Sequence, residues 1–222
     1  MTRNIILHRL RSLVFKYGED IVRNTNKLVY GIGTKGVEYP TRIDGKTVKE
    51  YKVWGGMLER CIEKWWRKYP TYTGTTCSEN FKHYSFFYEW CNEQIGFGNT
   101  DENGKSWHLD KDLLVKGNKI YSEDTCVFLP LRLNLLLTRC NAARGSSPIG
   151  VHRTPCLGKF RATCREANKQ RHLGRFSTQQ EAFQAYKTFK EAYIKQEAEK
   201  YKGQLDPRAY EALLNYTVEI TD

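Results

Sequence analysis

No two cysteines in this 222-residue chain follow the C-x-x-C spacing of a structural zinc site; the seven thiols stand singly at Cys61, Cys77, Cys91, Cys126, Cys140, Cys156 and Cys164. An odd, scattered set also argues against a disulfide framework and fits a reducing compartment, where a buried thiol behaves as a small hydrophobe. No apolar run approaches the ~20 residues that span a bilayer. Near the start, His8, Arg9 and Arg11 interrupt the stretch that a secretory leader would need. The glycine-rich GIGTKG at 31–36 lacks the Gly-Lys-Ser/Thr ending of a phosphate-binding loop. The expectation is an intracellular protein with no membrane span, no structural zinc and no nucleotide fingerprint.

What is present is positive charge. The formal net charge is +11 and the pI about 9.3, with basic residues spread along the chain, so an anionic partner is expected and nucleic acid leads. With 40% apolar and 13% aromatic residues the chain has material for two modest cores. The fold class expected is α+β.

Apolar residues at helical spacing (Ile5, Ile6, Leu10, Leu13, Val14, Tyr17, Ile21) predict a helix over the first two dozen residues. Glycines and Pro40 between Leu28 and Lys49 suggest irregular structure or a hairpin. The stripe Tyr51, Trp54, Met57, Leu58, Cys61, Ile62 and Trp65 predicts a helix over 49–68, ended before Pro70. Phe81, Tyr84, Phe87, Tyr88 and Cys91 suggest a second helix packed on it. Gly96 to Lys105 reads as a surface loop, and AARGSSP within 141–148 reads as a linker.

Between these lies the densest set of metal-capable side chains. Ser106 to Asp110 suits a strand, Leu113 to Asp124 a polar loop turning at Gly117 and Asn118, Cys126 to Leu129 a second strand, and Pro130 the first position of a helix running to about Cys140. Strand alternation, if it continues, puts His108, Asp110 and Asp112 on one face, and Asn134 falls on the first helical turn. Such oxygen donors suit Mg²⁺ or a similar hard cation. The same three residues from 110 to 112 also suit a solvated turn with internal ion pairs.

This segment resembles the ββα-metal (HNH) nuclease finger of phage homing endonucleases, and more closely the phage proteins that carry D-K-D, then G-N-K-x-Y-S, then C-x-F-x-P-x-x-x-N. The aromatic helices ahead of it match the W-x-x-M-L-x-R-C pattern of the same proteins. The resemblance implies Asp110 and Asn134 as metal ligands, Mg²⁺ or Mn²⁺ as the cation, Asn118 as the loop brace, and Lys111 at the position where the family places its general-base His. A lysine near ~10.4 is charged at pH 7, so the base stays open among His108, Lys111 and Asp112. The resemblance also implies a phage-encoded protein acting in the host cytoplasm.

From Ile149 the pattern changes to three short strands, IGVHRT, KFRATCRE and RHLGRF, and then a helix opened by a capping box at Ser177-Thr178-Gln179-Gln180. This is a small α+β module. Through Gly150-Val151, Gly158-Lys159-Phe160, Arg165, Leu173-Gly174, Phe176 and Glu181-Ala182 it resembles the Apetala/ethylene-response-factor DNA-binding domain, whose sheet lies in the major groove of duplex DNA. The resemblance implies His152, Thr154, Arg161, Thr163, Arg165, Arg171 and His172 on the reading strands, with Arg153, Lys159 and Lys169 near phosphate. Asp206-Pro207 caps a last short helix, and Thr217 to Ile220 is β-prone; this tail either docks back or joins two copies.

The organisation expected is therefore a helical region with a nuclease finger over 1–140 (finger about 105–140), a linker at 141–148, an Apetala-type domain at 149–201 and a tail at 202–222. The function expected is metal-dependent, site-selective hydrolysis of DNA phosphodiester bonds. The alternative is a catalytically inactive DNA-binding protein derived from such a nuclease.

Overall fold

The computed structural model describes residues 27–138, 147–154, 158–167, 169–220 and 222. The helix expected over the first two dozen residues and most of the expected linker lie outside this set. The protein is α+β with small sheets, and it divides into two compact units: 1–98 with 109–127, and 99–108 with 128–222. Among the described residues no helix is long and apolar enough to cross a membrane.

The first unit opens with a hairpin of β1 (Arg42–Ile43) and β2 (Lys46–Thr47). Asp44 and Gly45 both have positive φ (50° and 73°), the geometry that an Asp-Gly dipeptide adopts in a two-residue hairpin turn. Helix α1 (Lys49–Arg60) buries Trp54, Met57 and Leu58. Helix α3 (Tyr84–Glu93) buries Tyr84, Phe87, Trp90 and Cys91, and the ring centres of Trp54 and Tyr84 lie 5.2 Å apart. The indole N–H of Trp54 donates to the Phe81 carbonyl at 2.8 Å, so the largest core side chain leaves no buried donor unpaired.

The single helix expected over 49–68 is two. Cys61 closes α1 with a tight bond from its N–H to the Leu58 carbonyl, Ile62 is extended (φ −112°, ψ 149°), and α2 (Glu63–Lys68) starts afresh. No Gly or Pro marks the break, and the apolar stripe runs across it, which is why spacing alone reads one helix. Beyond α2, β3 (Thr76–Cys77) lies parallel to β5 (Ile120–Tyr121), with Thr76 opposite Ile120 and Cys77 opposite Tyr121. The polar loop expected over 113–124 thus contains a strand whose partner lies more than forty residues earlier. β4 (His108–Asp110) pairs with β6 (Val127–Leu129).

In the second unit, α4 (Leu131–Leu136) follows Pro130, which occupies the cap position just outside the helix. β7 (Val151–Thr154), β8 (Lys159–Glu166) and β9 (Lys169–Phe176) form an antiparallel sheet in sequential order. It is covered by the 21-residue α5 (Gln179–Glu199). The capping box is one residue later than the sequence suggests: Thr178 accepts from the Glu181 N–H, and the Glu181 carboxylate accepts from the Thr178 N–H.

The core of this unit gathers Val151, Ala162, Cys164, Ala182, Phe183, Tyr186 and, from the tail, Val218. A Cβ on Gly150 (φ +74°) would lie 2.1 Å from Tyr186 Cδ2, so glycine is required there on two counts. Helix α6 (Pro207–Leu214) is capped by Asp206, whose Oδ1 accepts from the Arg208 N–H at 2.8 Å. The β-prone tail forms no strand. It docks on α5, with the Val218 N–H donating to Glu191 and its carbonyl accepting from Lys187.

One ion cluster ties α4 to α5. Glu197, 1% exposed, accepts at Oε1 from Arg132 Nη2 (2.9 Å) and Lys200 Nζ (2.7 Å), and its Oε2 lies 2.6 Å from Arg132 Nε. Burial raises the Glu197 pKa, but the bonds from Lys200 and Arg132 outweigh it and hold the group below the usual carboxylate range. A depressed value means that its contribution to stability is complete above the unfolded value near ~4.3 and is lost as pH falls through the lower folded value. Removing one partner leaves a buried charge undercompensated. Lys200 stays on Glu197 and Arg132 is partly solvated, so Arg132→Ala is expected to cost roughly 1–2 kcal/mol in urea unfolding at pH 7, with the deficit shrinking at pH values where Glu197 is protonated. An unchanged midpoint at pH 7 would show that the cluster holds nothing together.

Candidate functional site

Two places in the described chain concentrate chemistry: the loop after β4 in the first unit and the open face of the β7–β9 sheet in the second. In the loop, Asp110 ends β4 because its Oδ1 takes the N–H groups of Asp112 (3.1 Å) and Leu113 (2.8 Å), an Asx-type turn that replaces the strand ladder. The alternation expected to continue to Asp112 therefore stops at Asp110. Asp110 and Lys111 are both buried, while Asp112 and His108 are exposed.

Burial is the main cause that lifts the Asp110 pKa to about 6, the neighbouring Asp112 charge adds to it, and the two amide N–H bonds and Lys111 pull it back. Its second oxygen, Oδ2, makes no hydrogen bond among the described residues.

Lys111 and Asn118 lock the loop reciprocally. Lys111 Nζ donates to the Asn118 carbonyl at 2.8 Å, and Asn118 Nδ2 donates to the Lys111 carbonyl at 2.7 Å. Asn118 also bonds Ile120 in both directions, from Nδ2 to its carbonyl (2.7 Å) and from its N–H to Oδ1 (3.0 Å). The Lys111 ammonium lies 3.3 Å from Asp112 Oδ2 and 5.8 Å from the centre of the Tyr121 ring. It is committed as a donor inside the loop, and no face of it is presented as a base.

Asn134, on α4, belongs to the second unit. Among the described residues no three His, Cys, Asp or Glu side chains converge as a metal-ligand set. The donor chemistry at Asp110, one free carboxylate oxygen held in a site that penalises its charge, fits a hard cation, which would supply the missing counter-charge.

On the sheet, alternation sorts the side chains. Val151, Ala162 and Cys164 face α5, and Lys159, Arg161, Thr163 and Arg165 take the other face of β8. Thr163 links the three strands there: its hydroxyl lies 3.1 Å from His152 Nε2 and accepts from Gln170 Nε2 at 3.1 Å. A register shift after Ala162 leaves Arg175 opposite Arg161 and His172 opposite Thr163. The open face therefore carries His152, Thr154, Arg161, Arg165, His172 and Arg175. Arg161 faces Arg175 directly across the strands, and neither makes an ion pair among the described residues.

One residue expected among the readers, Arg171, and two expected near phosphate, Arg153 and Lys169, lie on the helix side of the sheet. Arg171 sits opposite Cys164, on the helix side, paired with Glu166 at 2.8 Å and 4.9 Å from the centre of the Phe189 ring. Arg153, opposite Phe160, and Lys169, opposite Glu166, share that side of the ladder. Sequence reasoning omitted Arg175 and Gln170. Period-two spacing from His172 reaches Gln170, but Arg175 required knowing the register shift.

The raised Asp110 value carries a sign. Protonated Asp110 favours folding below its unfolded value near ~3.9, and that benefit is lost as pH rises through about 6. Asn keeps the oxygen that Asp112 and Leu113 need. Asp110→Asn is therefore expected to stabilise the protein at pH 7 by roughly 1–2 kcal/mol, with the gain vanishing in unfolding curves taken below pH 4. A loss of stability at pH 7 would remove the buried, uncompensated carboxylate from the account. Comparison with protein families, with curated proteins and with solved structures yields no match to this chain.

Proposed function

We propose that this protein binds duplex DNA through the open face of the β7–β9 sheet and hydrolyses a phosphodiester bond at a metal-dependent site centred on Asp110. The observation that carries the DNA-binding half is the unpaired cross-strand couple Arg161–Arg175. Like charges directly opposite one another destabilise a sheet, and their retention, with Arg165 and two imidazoles alongside, is accounted for by an anionic ligand. Arginine in this setting matches the O6 and N7 acceptors of guanine in the major groove. Lys159, at the start of β8, is suited to phosphate.

The hydrolytic half rests on Asp110 and on the resemblance to phage HNH nucleases. A buried carboxylate with a free Oδ2 is suited to hold a divalent cation, and the resemblance adds Asn134 as a second oxygen ligand. The chemistry that a cation held by these residues would supply is Lewis-acid stabilisation of charge on the phosphate and the leaving 3′ oxygen. Asn118 fixes the loop that positions Asp110. Lys111, bound to the Asn118 carbonyl and to Asp112, contributes fixed positive charge. The exposed His108 is the candidate to take a proton from water. A separate reader holding the DNA raises the effective concentration of chosen sites.

The second reading, a DNA-binding protein that does not cut, is favoured by Lys111 itself. Where the family places a titratable imidazole, this chain has an ammonium locked into the loop.

One experiment separates the readings: supercoiled DNA from a phage-genome library is incubated with Mg²⁺ or Mn²⁺, and nicked and linear products are scored beside duplex affinity. The proposal predicts cleavage by the wild type, lost in Asp110→Ala and Asn134→Ala while affinity persists. Arg175→Ala is expected to weaken duplex binding by about 1–3 kcal/mol at a preferred site without lowering the unfolding temperature, because it relieves a like-charge contact. Lys159→Ala is expected to weaken preferred and random duplex equally. Tight, selective binding with no cleavage under either metal would select the second reading; full duplex affinity in Arg175→Ala would remove the sheet face from both.

A further inference from the structure

The chain has five tryptophans. Trp54, Trp90 and Trp107 are buried, whereas Trp65 and Trp66, side by side on α2, are each only half-buried. Two adjacent indoles on a six-residue helix are a poor choice for a purely solvated surface, since each leaves apolar area in water.

Their surroundings are cationic. Glu63 neutralises Arg67 through a 2.8 Å pair, which leaves Arg60, Lys64 and Lys68 without an acidic partner among the described residues. Cations and rings are interleaved: Lys68 Nζ lies 5.2 Å from the centre of the Tyr69 ring, and the Arg60 guanidinium 6.0 Å from that of Tyr72. Trp66 is pinned by its N–H to the Arg60 carbonyl at 2.9 Å. The Trp65 N–H edge is buried without an acceptor, and its ring centre lies 4.5 Å from that of Tyr69 with the planes tilted by 40°, so the two rings form one partly covered aromatic surface. Tyr69 is 39% exposed.

We propose that α2 and the turn after it bind a single-stranded segment of nucleic acid, with unpaired bases stacking on Trp65 and Tyr69 while Arg60, Lys64 and Lys68 neutralise the phosphates. The ligand must present flat apolar faces and negative charge at short intervals, and a strand of unpaired nucleotides does both. In a duplex the base faces are covered by their neighbours, so stacking of this kind selects unpaired residues.

The platform is coupled to the Asp110 loop within the same unit. Lys119 donates to the Thr71 carbonyl, and β3, which follows the platform, pairs with β5 in the loop. The proposal deepens the nucleic-acid reading above by adding a second ligand form at a surface separate from the sheet.

The test uses the full chain and the fluorescence anisotropy of a labelled, unstructured deoxythymidine oligonucleotide, with an unlabelled duplex of equal length as competitor. Trp65→Ala is expected to weaken binding about tenfold, the loss of one base stack, and Trp65→Phe, which keeps a stacking ring, to restore most of it. Lys64→Ala with Lys68→Ala, both at exposed positions that do not threaten folding, is expected to lower the salt slope by about 0.7 for each phosphate contact removed. Arg165→Ala on the sheet is expected to leave oligonucleotide affinity unchanged, so failure of the sheet reading and failure of this one are distinguishable. Wild-type affinity for the oligonucleotide in both Trp65→Ala and the double lysine variant, no binding by the wild type, or equal displacement by the duplex would each overturn the proposal.

Discussion

The two-sidedness of the β7–β9 sheet is the constraint on which the second unit depends. Val151, Ala162 and Cys164 must face α5 because they, with Phe183 and Tyr186, are the core. Period-two alternation then leaves Arg161, Thr163 and Arg165 no position but the open face. The same rule withdraws Arg171 from that face and lays it over Phe189. Gly150 lets the chain enter β7 against the Tyr186 ring, and Val218 closes the core from the other end. A surface with two arginines opposite each other is thus held by packing on the far side of the sheet.

A second opposition runs through the first unit. Asp110 is kept where its charge is disfavoured, and Lys111, next to it, turns into the loop and satisfies the Asn118 carbonyl instead of neutralising it with a direct bond. If the loop needed only to be stable, an amide at position 110 would make the same turn. The carboxylate is the part of the loop that the turn alone does not require. Lys111 and Asn118 are explained by the loop itself.

How much of this was legible in the sequence follows from the range of each interaction. The aromatic stripes of α1 and α3, the strands of the second unit and the Asp206 cap are local patterns, and the residues alone indicate them. The break at Ile62 was hidden because the apolar stripe continues across it. β5 was hidden because Ile120 and Tyr121 become a strand only by pairing with Thr76 and Cys77. Alternation carried past Asp110 failed because a side-chain oxygen, satisfying two backbone amides, ended the strand. Arg175 was missed because a register shift between Ala162 and Thr163 changes which residues share a face. The Glu197–Arg132 cluster joins residues 65 apart, and nothing in either local stretch announces it. The nuclease and DNA-binding roles came from resemblance and remain proposals that the geometry supports.

The most direct test of the central claim observes the arginine Nε–H signals by NMR while a preferred duplex is added. The account predicts that Arg161, Arg165 and Arg175 shift and lose solvent exchange, whereas Arg171, held by Glu166 on the helix side, does not move. Shifts at Arg171 with none at Arg161 and Arg175 would place the DNA on the opposite side of the sheet and contradict the account.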